Sequence, residues 1–132
     1  MKGFRRGPQR LIMPVPRITK EQLKEKLDSG DAGTAPVILD VRLKYPYEHS
    51  TVKLPGAVRM LPDDVQFDRI PTGRELVAYD SDPEELVSAR VVAALIRRGS
   101  RASALKGGIA EWIAAGFPTV ARTSAPPEPA KG

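Results

Sequence analysis

The stretch VAYDSDPEELVSAR, residues 77–90, places four carboxylates where an apolar strand pattern meets a helical pattern. They are Asp80, Asp82, Glu84 and Glu85. Carboxylates gathered at such a junction suit magnesium-assisted phosphotransfer, general acid–base catalysis, or the capping of a helix. The elements that position these residues must decide among the three roles.

The composition excludes several kinds of site. The 132 residues include no cysteine, which rules out disulfides, thiolate metal ligands and cysteine nucleophiles. The single histidine, His49, excludes a multi-histidine metal cluster and lies in a polar stretch, where we expect it to be exposed. We predict no cofactor and no metal site built from cysteine or histidine, which leaves a carboxylate site at Asp80 and Asp82 as the alternative for a metal.

Charge and proline content divide the chain into three segments. Residues 1–17 carry basic side chains and no acidic ones, with glycines and prolines between them, and are predicted to be a flexible basic arm. Residues 18–121 are nearly balanced in charge and are predicted to form the folded domain. Residues 122–132 hold three prolines and are predicted to be a disordered tail. Because the formal charge of +5 belongs mainly to the arm, we expect no nucleic-acid partner, and a solvated arm is favoured.

The N-terminal apolar run is short. Leu11, Ile12 and Met13 are followed at once by Pro14. A membrane span needs about 20 apolar residues, and a secretory signal needs a longer apolar run than this one. We therefore expect no membrane span and a cytoplasmic location.

Helical and strand patterns alternate along the middle of the chain. Thr19 with Gln22 three residues later is a capping box, which predicts a helix to about Leu27 that stops near Gly30. Strands are predicted at 37–39, 58–60, 75–79 and 102–105, helices at 84–98 and 109–115, a short helical turn at 45–50, and a helix start at 62–65. Such alternation predicts a parallel sheet covered by helices on both faces.

Three motifs occur in order along this framework: ILDVR at 38–42, LPGAVRM at 54–60, and LKGGIAEWIAAGFP at 105–118. Together they resemble the rhodanese-like domain, over about residues 18–120. The resemblance implies an α/β fold with a five-stranded parallel sheet and helices on both faces. It also implies that the active-site loop follows the fourth strand of the family's sheet, here ELVAY at 75–79.

In active members of that family this strand ends in a cysteine that carries a persulfide, surrounded by backbone N–H groups. Here Asp80 occupies the cysteine position, and Asp82 occupies the second cysteine position of a subgroup with Tyr-Cys-x-Cys-Pro. Lys53 stands where many members have a histidine. A carboxylate cannot carry sulfane sulfur, so we expect no sulfurtransferase activity and no catalytic residue of that reaction.

The active-site-like loop has a further interpretation from the residues themselves. Asp82 is predicted to cap a helix that begins at Pro83, with Glu84 and Glu85 in its first turn. Asp80 is predicted to accept the N–H groups of the loop as a built-in anion. Ser81 has no histidine near it in sequence that could activate it. The whole loop comprises Asp80, Ser81, Asp82, Pro83, Glu84, Glu85, Leu86, Val87 and Ser88.

Four other residues are predicted to have structural roles. Asp40 follows the first predicted strand, and Arg42 is expected to form an ion pair with Glu48. Trp112 lies on a short amphipathic pattern and is expected in the core. The pair Gly107–Gly108 is expected to make a tight turn from strand to helix.

These observations leave more than one function open. The leading hypothesis is a binding or regulatory module without sulfurtransferase activity, whose partner is an unknown protein or a small anionic ligand. The alternative is an enzyme of altered chemistry, in which Asp80 and Asp82 support metal-assisted or acid–base hydrolysis. The further acidic and lysine motifs of haloacid-dehalogenase-like phosphatases are not evident. A third possibility is a remnant domain that retains only a stable fold.

Overall fold

The computed structural model describes residues 15–30 and 33–122. Helices and strands alternate along them as expected. The strands are β1 (Arg17–Ile18), β2 (Val37–Asp40), β3 (Val52–Lys53), β4 (Val58–Arg59), β5 (Glu75–Tyr79), β6 (Arg101–Leu105) and β7 (Val120–Ala121). The α-helices are α1 (Lys20–Ser29), α2 (Lys44–Glu48), α3 (Leu86–Arg97) and α4 (Gly108–Ala114), with a 3-10 turn at Phe67–Arg69.

Five strands form one sheet in the order β1-β6-β5-β2-β4, and every pairing in it is parallel. The carboxyl ends of these strands therefore share one edge, where loops from β2, β4 and β5 meet. Strands β3 and β7 form a separate antiparallel pair. The predicted fold class, an α/β fold with a five-stranded parallel sheet, is confirmed.

Each face of the sheet carries its own core. Alternate residues of β5 point to opposite faces, so Val77 and Tyr79 pack in one core while Leu76 and Ala78 pack in the other. The first core includes Trp112, which is fully buried and donates its indole N–H to the Pro118 carbonyl over 2.8 Å. The core position predicted for this tryptophan is confirmed.

The capping box at the first helix is present. The Thr19 hydroxyl accepts the Gln22 N–H over 3.1 Å, and the Gln22 side chain accepts the Thr19 N–H over 2.9 Å. Helix α1 runs to Ser29, two residues beyond the predicted end, and Gly30 follows it. The leucine at position 23 anchors the helix in the core.

The helix predicted to start at 62–65 is absent. The chain instead makes a turn with a bridge between Leu61 and Asp64, and then the 3-10 turn. Proline and acidic residues suit a turn as well as a helix start, and here Val65 and Phe67 pack against the core of the second face. Tertiary contacts therefore override the local helix signal.

Residues beside both predicted domain boundaries contact the folded part of the chain. Val15 packs against the core, Pro16 accepts the Ala104 N–H over 2.9 Å, and Arg17 belongs to β1. Arg122 donates its N–H to the Thr51 carbonyl over 2.9 Å. The rest of the predicted arm and tail lies outside the described residues. Within the described ranges, no helix has the length and apolarity to cross a membrane.

Candidate functional site

The loop of residues 80–88 leaves the carboxyl end of β5, the middle strand of the sheet. Its first residue, Asp80, has only 1% of its surface exposed. Its carboxylate accepts the Asp82 N–H through Oδ1 over 3.0 Å and the Ser88 N–H through Oδ2 over 2.6 Å. Both carboxylate oxygens therefore bind backbone N–H groups of the loop that Asp80 begins.

The protonation of Asp80 reflects opposing effects. Burial raises the pKa of its carboxyl above the ordinary value of 3.8. The Ser88 and Asp82 N–H groups lower the pKa, and the nearby Asp82 charge raises it. The net direction is upward, so desolvation outweighs the two hydrogen bonds.

The helix that follows begins later than predicted, and Asp82 is not its N-cap. The Asp82 Oδ1 atom accepts the Glu84 N–H over 2.8 Å, and its carbonyl accepts the Glu85 N–H over 3.0 Å, which makes a local turn. Helix α3 begins at Leu86, and Glu85 at its N-cap position has a left-handed backbone with φ of 59°. The helix predicted from Glu84 therefore loses its first two residues to this turn.

The side chain of Glu85 explains the unusual backbone. It is almost fully buried, with 4% of the side chain exposed. Its Oε1 atom pairs with the Arg17 guanidinium over 2.6 Å, and its Oε2 atom accepts the Gly107 N–H over 2.9 Å. Glu85 thus connects the loop to β1 and to the turn before α4. The local sequence predicts this glutamate in the first turn of a helix and gives no signal for its role as a connector, because its partners are distant in sequence.

The turn made by the paired glycines packs against the start of the loop. Gly107 and Gly108 both have positive φ, of 81° and 67°, as the predicted tight turn requires. A Cβ atom on Gly108 would lie 2.6 Å from the Asp80 carbonyl oxygen. The N–H of Ile109 donates to that same oxygen over 3.1 Å. Only glycine allows this close approach between the turn and the loop.

A buried polar network lies beside the loop, at the end of β2. The Arg42 guanidinium binds both oxygens of Asp40, over 3.0 and 2.7 Å, and both side chains are 1% exposed. The Tyr79 hydroxyl donates to Asp40 Oδ2 over 2.9 Å and accepts the Leu54 N–H over 3.2 Å. Burial raises the pKa of Tyr79, and the Asp40 charge raises it further. The network fixes β2 against β5.

The predicted ion pair between Arg42 and Glu48 is wrong. Glu48 pairs instead with Lys44 on the exposed side of α2, over 3.1 Å. Arg42 finds a bidentate partner two residues back in Asp40, and the short helix turns Glu48 toward solvent. The structural role expected for Arg42 therefore holds with a different carboxylate.

The remaining predicted loop residues differ in exposure. Ser88 and Val87 are buried, Ser81 is half-buried, and Leu86 is 62% exposed. His49 is exposed, as expected, and stacks on Tyr45 with ring centres 3.9 Å apart. Across the described residues, no group of three or more His, Cys, Asp or Glu side chains is arranged to hold a metal ion.

Comparisons with known proteins agree with this architecture. The sequence model of the rhodanese-like domain matches residues 19–115. A full-length protein from Lactobacillus plantarum superposes with a TM-score of 0.71 at 20% identity, over 80% of this chain and 88% of that one. A rhodanese-related protein from Thermoplasma volcanium gives 0.66 at 20% identity, over 80% and 97%. The Alr3790 protein from Anabaena gives 0.62 at 32% identity, over 78% and 81%.

No curated protein sequence matches this chain. The two structures at 20% identity support the fold alone.

Proposed function

The chain belongs to the rhodanese-like domain family, and from that premise we propose that it is a member without sulfurtransferase activity that serves as a binding or regulatory module. The observation that carries the proposal is the buried carboxylate of Asp80, whose two oxygens accept the backbone N–H groups of Asp82 and Ser88 in the loop. Active members of the family hold a sulfur anion in this loop. In this chain a fixed carboxylate would take its place.

The chemistry of sulfur transfer supports the loss of activity. The reaction requires a polarizable thiolate that attacks the sulfane sulfur of the donor, carries it as a persulfide, and leaves again as thiolate when the acceptor takes the outer sulfur. The chain has no cysteine at any position, and a carboxylate has no comparable route. Ser81 is a neutral hydroxyl, and the single histidine, His49, stacks on Tyr45 in the α2 region.

The proposal is tested first by a thiosulfate:cyanide assay, with an active rhodanese as the positive control. We expect turnover no faster than the uncatalysed reaction. Turnover that saturates with thiosulfate would overturn the proposal. Asp80→Cys alone is not expected to restore activity, because Asp82 and Glu84 repel an anionic donor at the loop.

A hydrolytic enzyme that uses Asp80 and Asp82 is the competing function. The arrangement gives it little support, because both Asp80 oxygens bind backbone N–H groups and one Asp82 oxygen binds the Glu84 N–H. Calorimetric titration with magnesium and a screen of phosphate esters would distinguish the two functions. Magnesium binding that is abolished by Asp80→Asn, or hydrolysis abolished by that variant, would favour the enzyme.

The partner of the module is a protein or a small anionic ligand. The cytoplasmic location of the module stays a prediction from the sequence. If Asp80 acts as the anion of the loop, added sulfate should leave the amide signals of residues 80–88 unchanged in the unmodified protein. The Asp80→Asn variant should gain a weak sulfate response there. A sulfate response of the loop in the unmodified protein would instead support a ligand-binding loop.

A further inference from the structure

A second feature of the molecule lies on α2, around Tyr47. The guanidinium carbons of Arg59, Arg122 and Arg42 lie 3.9, 4.7 and 5.2 Å from the centre of its ring. The three arginines come from β4, from the residue after β7, and from the loop after β2. Tyr47 itself is half-buried. Three positive charges thus converge on one aromatic side chain.

The carboxylates near this ring do not balance these charges. Asp40 is the bidentate partner of Arg42 and lies 3.7 Å from Arg59. Among the described residues, the Arg122 side chain donates to the carbonyl oxygens of Ser50 and Glu48 and forms no ion pair with a carboxylate. Within the described part of the chain, there is one carboxylate for three guanidinium groups, which leaves a surplus of about two positive charges there.

Burial of a charged group has an energetic cost at Arg59. Burial lowers the pKa of its guanidinium below the ordinary value, and the Arg42 charge acts in the same direction although Asp40 opposes it. The group remains protonated, because arginine is charged at any pH a protein tolerates. An anion beside Arg59 would relieve the cost.

Several donors around the ring are available to such an anion. Arg59 donates through Nη1 to the carbonyls of Arg42, Asp40 and Met60, over 2.6 to 3.2 Å. Its Nε and Nη2 atoms, and the hydroxyl of Tyr47, have no hydrogen-bond acceptor among the described residues. Guanidinium groups present planar forks of donors that match phosphate oxygens.

We propose that Tyr47, Arg59 and Arg122 form a binding site for a tetrahedral oxyanion, either inorganic phosphate or the phosphate group of a monoester. The guanidinium carbons of Arg59 and Arg122 lie 3.9 and 4.7 Å from one ring centre, which places both groups beside the same aromatic side chain. A phosphate monoester carries about 1.5 to 2 negative charges at pH 7, which matches the surplus. The loop of residues 80–88 contributes nothing to this site.

The test is an NMR titration of the full chain with sodium phosphate, with sodium chloride varied so that ionic strength stays constant. We expect saturable shifts of the Tyr47, Arg59 and Arg122 amides, and no response from Asp82–Ser88. A parallel titration with a phosphate monoester distinguishes the two sources of the group. Shifts that grow without saturation, or that chloride alone reproduces, would overturn the proposal.

Variants locate the binding. Arg122→Gln should raise the dissociation constant for phosphate about tenfold, since a charged hydrogen bond is lost. Arg90→Gln is the matched control, because Arg90 is an exposed arginine on α3, and it should leave the constant unchanged. Tyr47→Phe keeps the ring and removes the hydroxyl, so we expect it to raise the dissociation constant for phosphate less than Arg122→Gln does. Equal binding by Arg122→Gln and the unmodified protein would overturn the proposal. A response confined to residues 80–88 would overturn it too, and it would show that Asp80 does not act as the anion of that loop.

Discussion

At the scale of single residues, Asp80 and Glu85 show how one loop holds two buried carboxylates by different means. Asp80 uses only backbone N–H groups, whereas Glu85 combines a guanidinium with one backbone N–H. A buried carboxylate without partners would be strongly destabilising, so these contacts are what permit both residues to be buried. The two residues therefore should respond differently to loss of charge.

Asp80→Asn should change the pH dependence of stability in a defined direction. Because the pKa of Asp80 is raised in the folded state, its contribution to stability is fully present below the ordinary value of 3.8 and is lost as pH rises through the folded-state pKa. Asparagine does not titrate, so the stability of the variant relative to the unmodified protein should increase as pH rises from about 4 toward 7. Urea unfolding of both proteins across this range measures the difference. A difference that stays constant, or decreases, would contradict the prediction.

Glu85→Gln should destabilise the domain, because the buried Glu85 side chain loses the charge that binds the half-exposed Arg17 guanidinium and the Gly107 N–H. We expect a loss of about 1–3 kcal/mol in the free energy of unfolding, typical of a hydrogen bond to a charged group. The neighbouring Glu84 is exposed, so Glu84→Gln is a matched control with an effect within about 0.5 kcal/mol. Urea unfolding measures both. Equal effects of the two substitutions would show that the pair with Arg17 contributes nothing.

At the scale of elements, the turn between β6 and α4 determines how closely the loop can approach the sheet edge. Gly108 lies against the Asp80 carbonyl, while Gly73 has the same sign of φ, 76°, with open space around it. Gly73→Ala should cost about 1 kcal/mol for the backbone alone. Gly108→Ala should cost about 1–3 kcal/mol more, because its methyl group overlaps the carbonyl. Thermal unfolding of the two variants compares their stabilities. Similar losses of stability would mean that Gly108 does not lie tightly against the Asp80 carbonyl.

The elements also show what the sequence could predict. The capping box at Thr19, the apolar run of β5 and the paired glycines are local signals, and each appears as predicted. The start of α3 was wrong because the need to bury the Glu85 side chain against Arg17 overrides the helix signal of Asp82 and Pro83. Contacts between residues 68 positions apart leave no trace in local patterns. The partner of Arg42 was misassigned for a related reason, since either carboxylate fits the spacing.

At the scale of the whole molecule, the N-terminal boundary can be tested by truncation. Residues 15–17 contribute a core contact, a hydrogen bond to β6 and the ion pair with buried Glu85. Removal of residues 1–14 should therefore leave the melting temperature within a few degrees of that of the full chain.

Removal of residues 1–17 should lower the melting temperature much further, because it leaves Glu85 buried without its cation. An uncompensated buried charge costs about 3–5 kcal/mol, and for a domain of this size each kcal/mol corresponds to several degrees. The combination of Glu85→Gln with the longer truncation separates the causes. If the lost ion pair dominates, glutamine at position 85 should recover part of the loss, since no buried charge then remains. If glutamine recovers nothing, the edge strand β1 and the packing of Val15 account for the loss, and the fold depends on strand pairing at this edge more than on the buried pair.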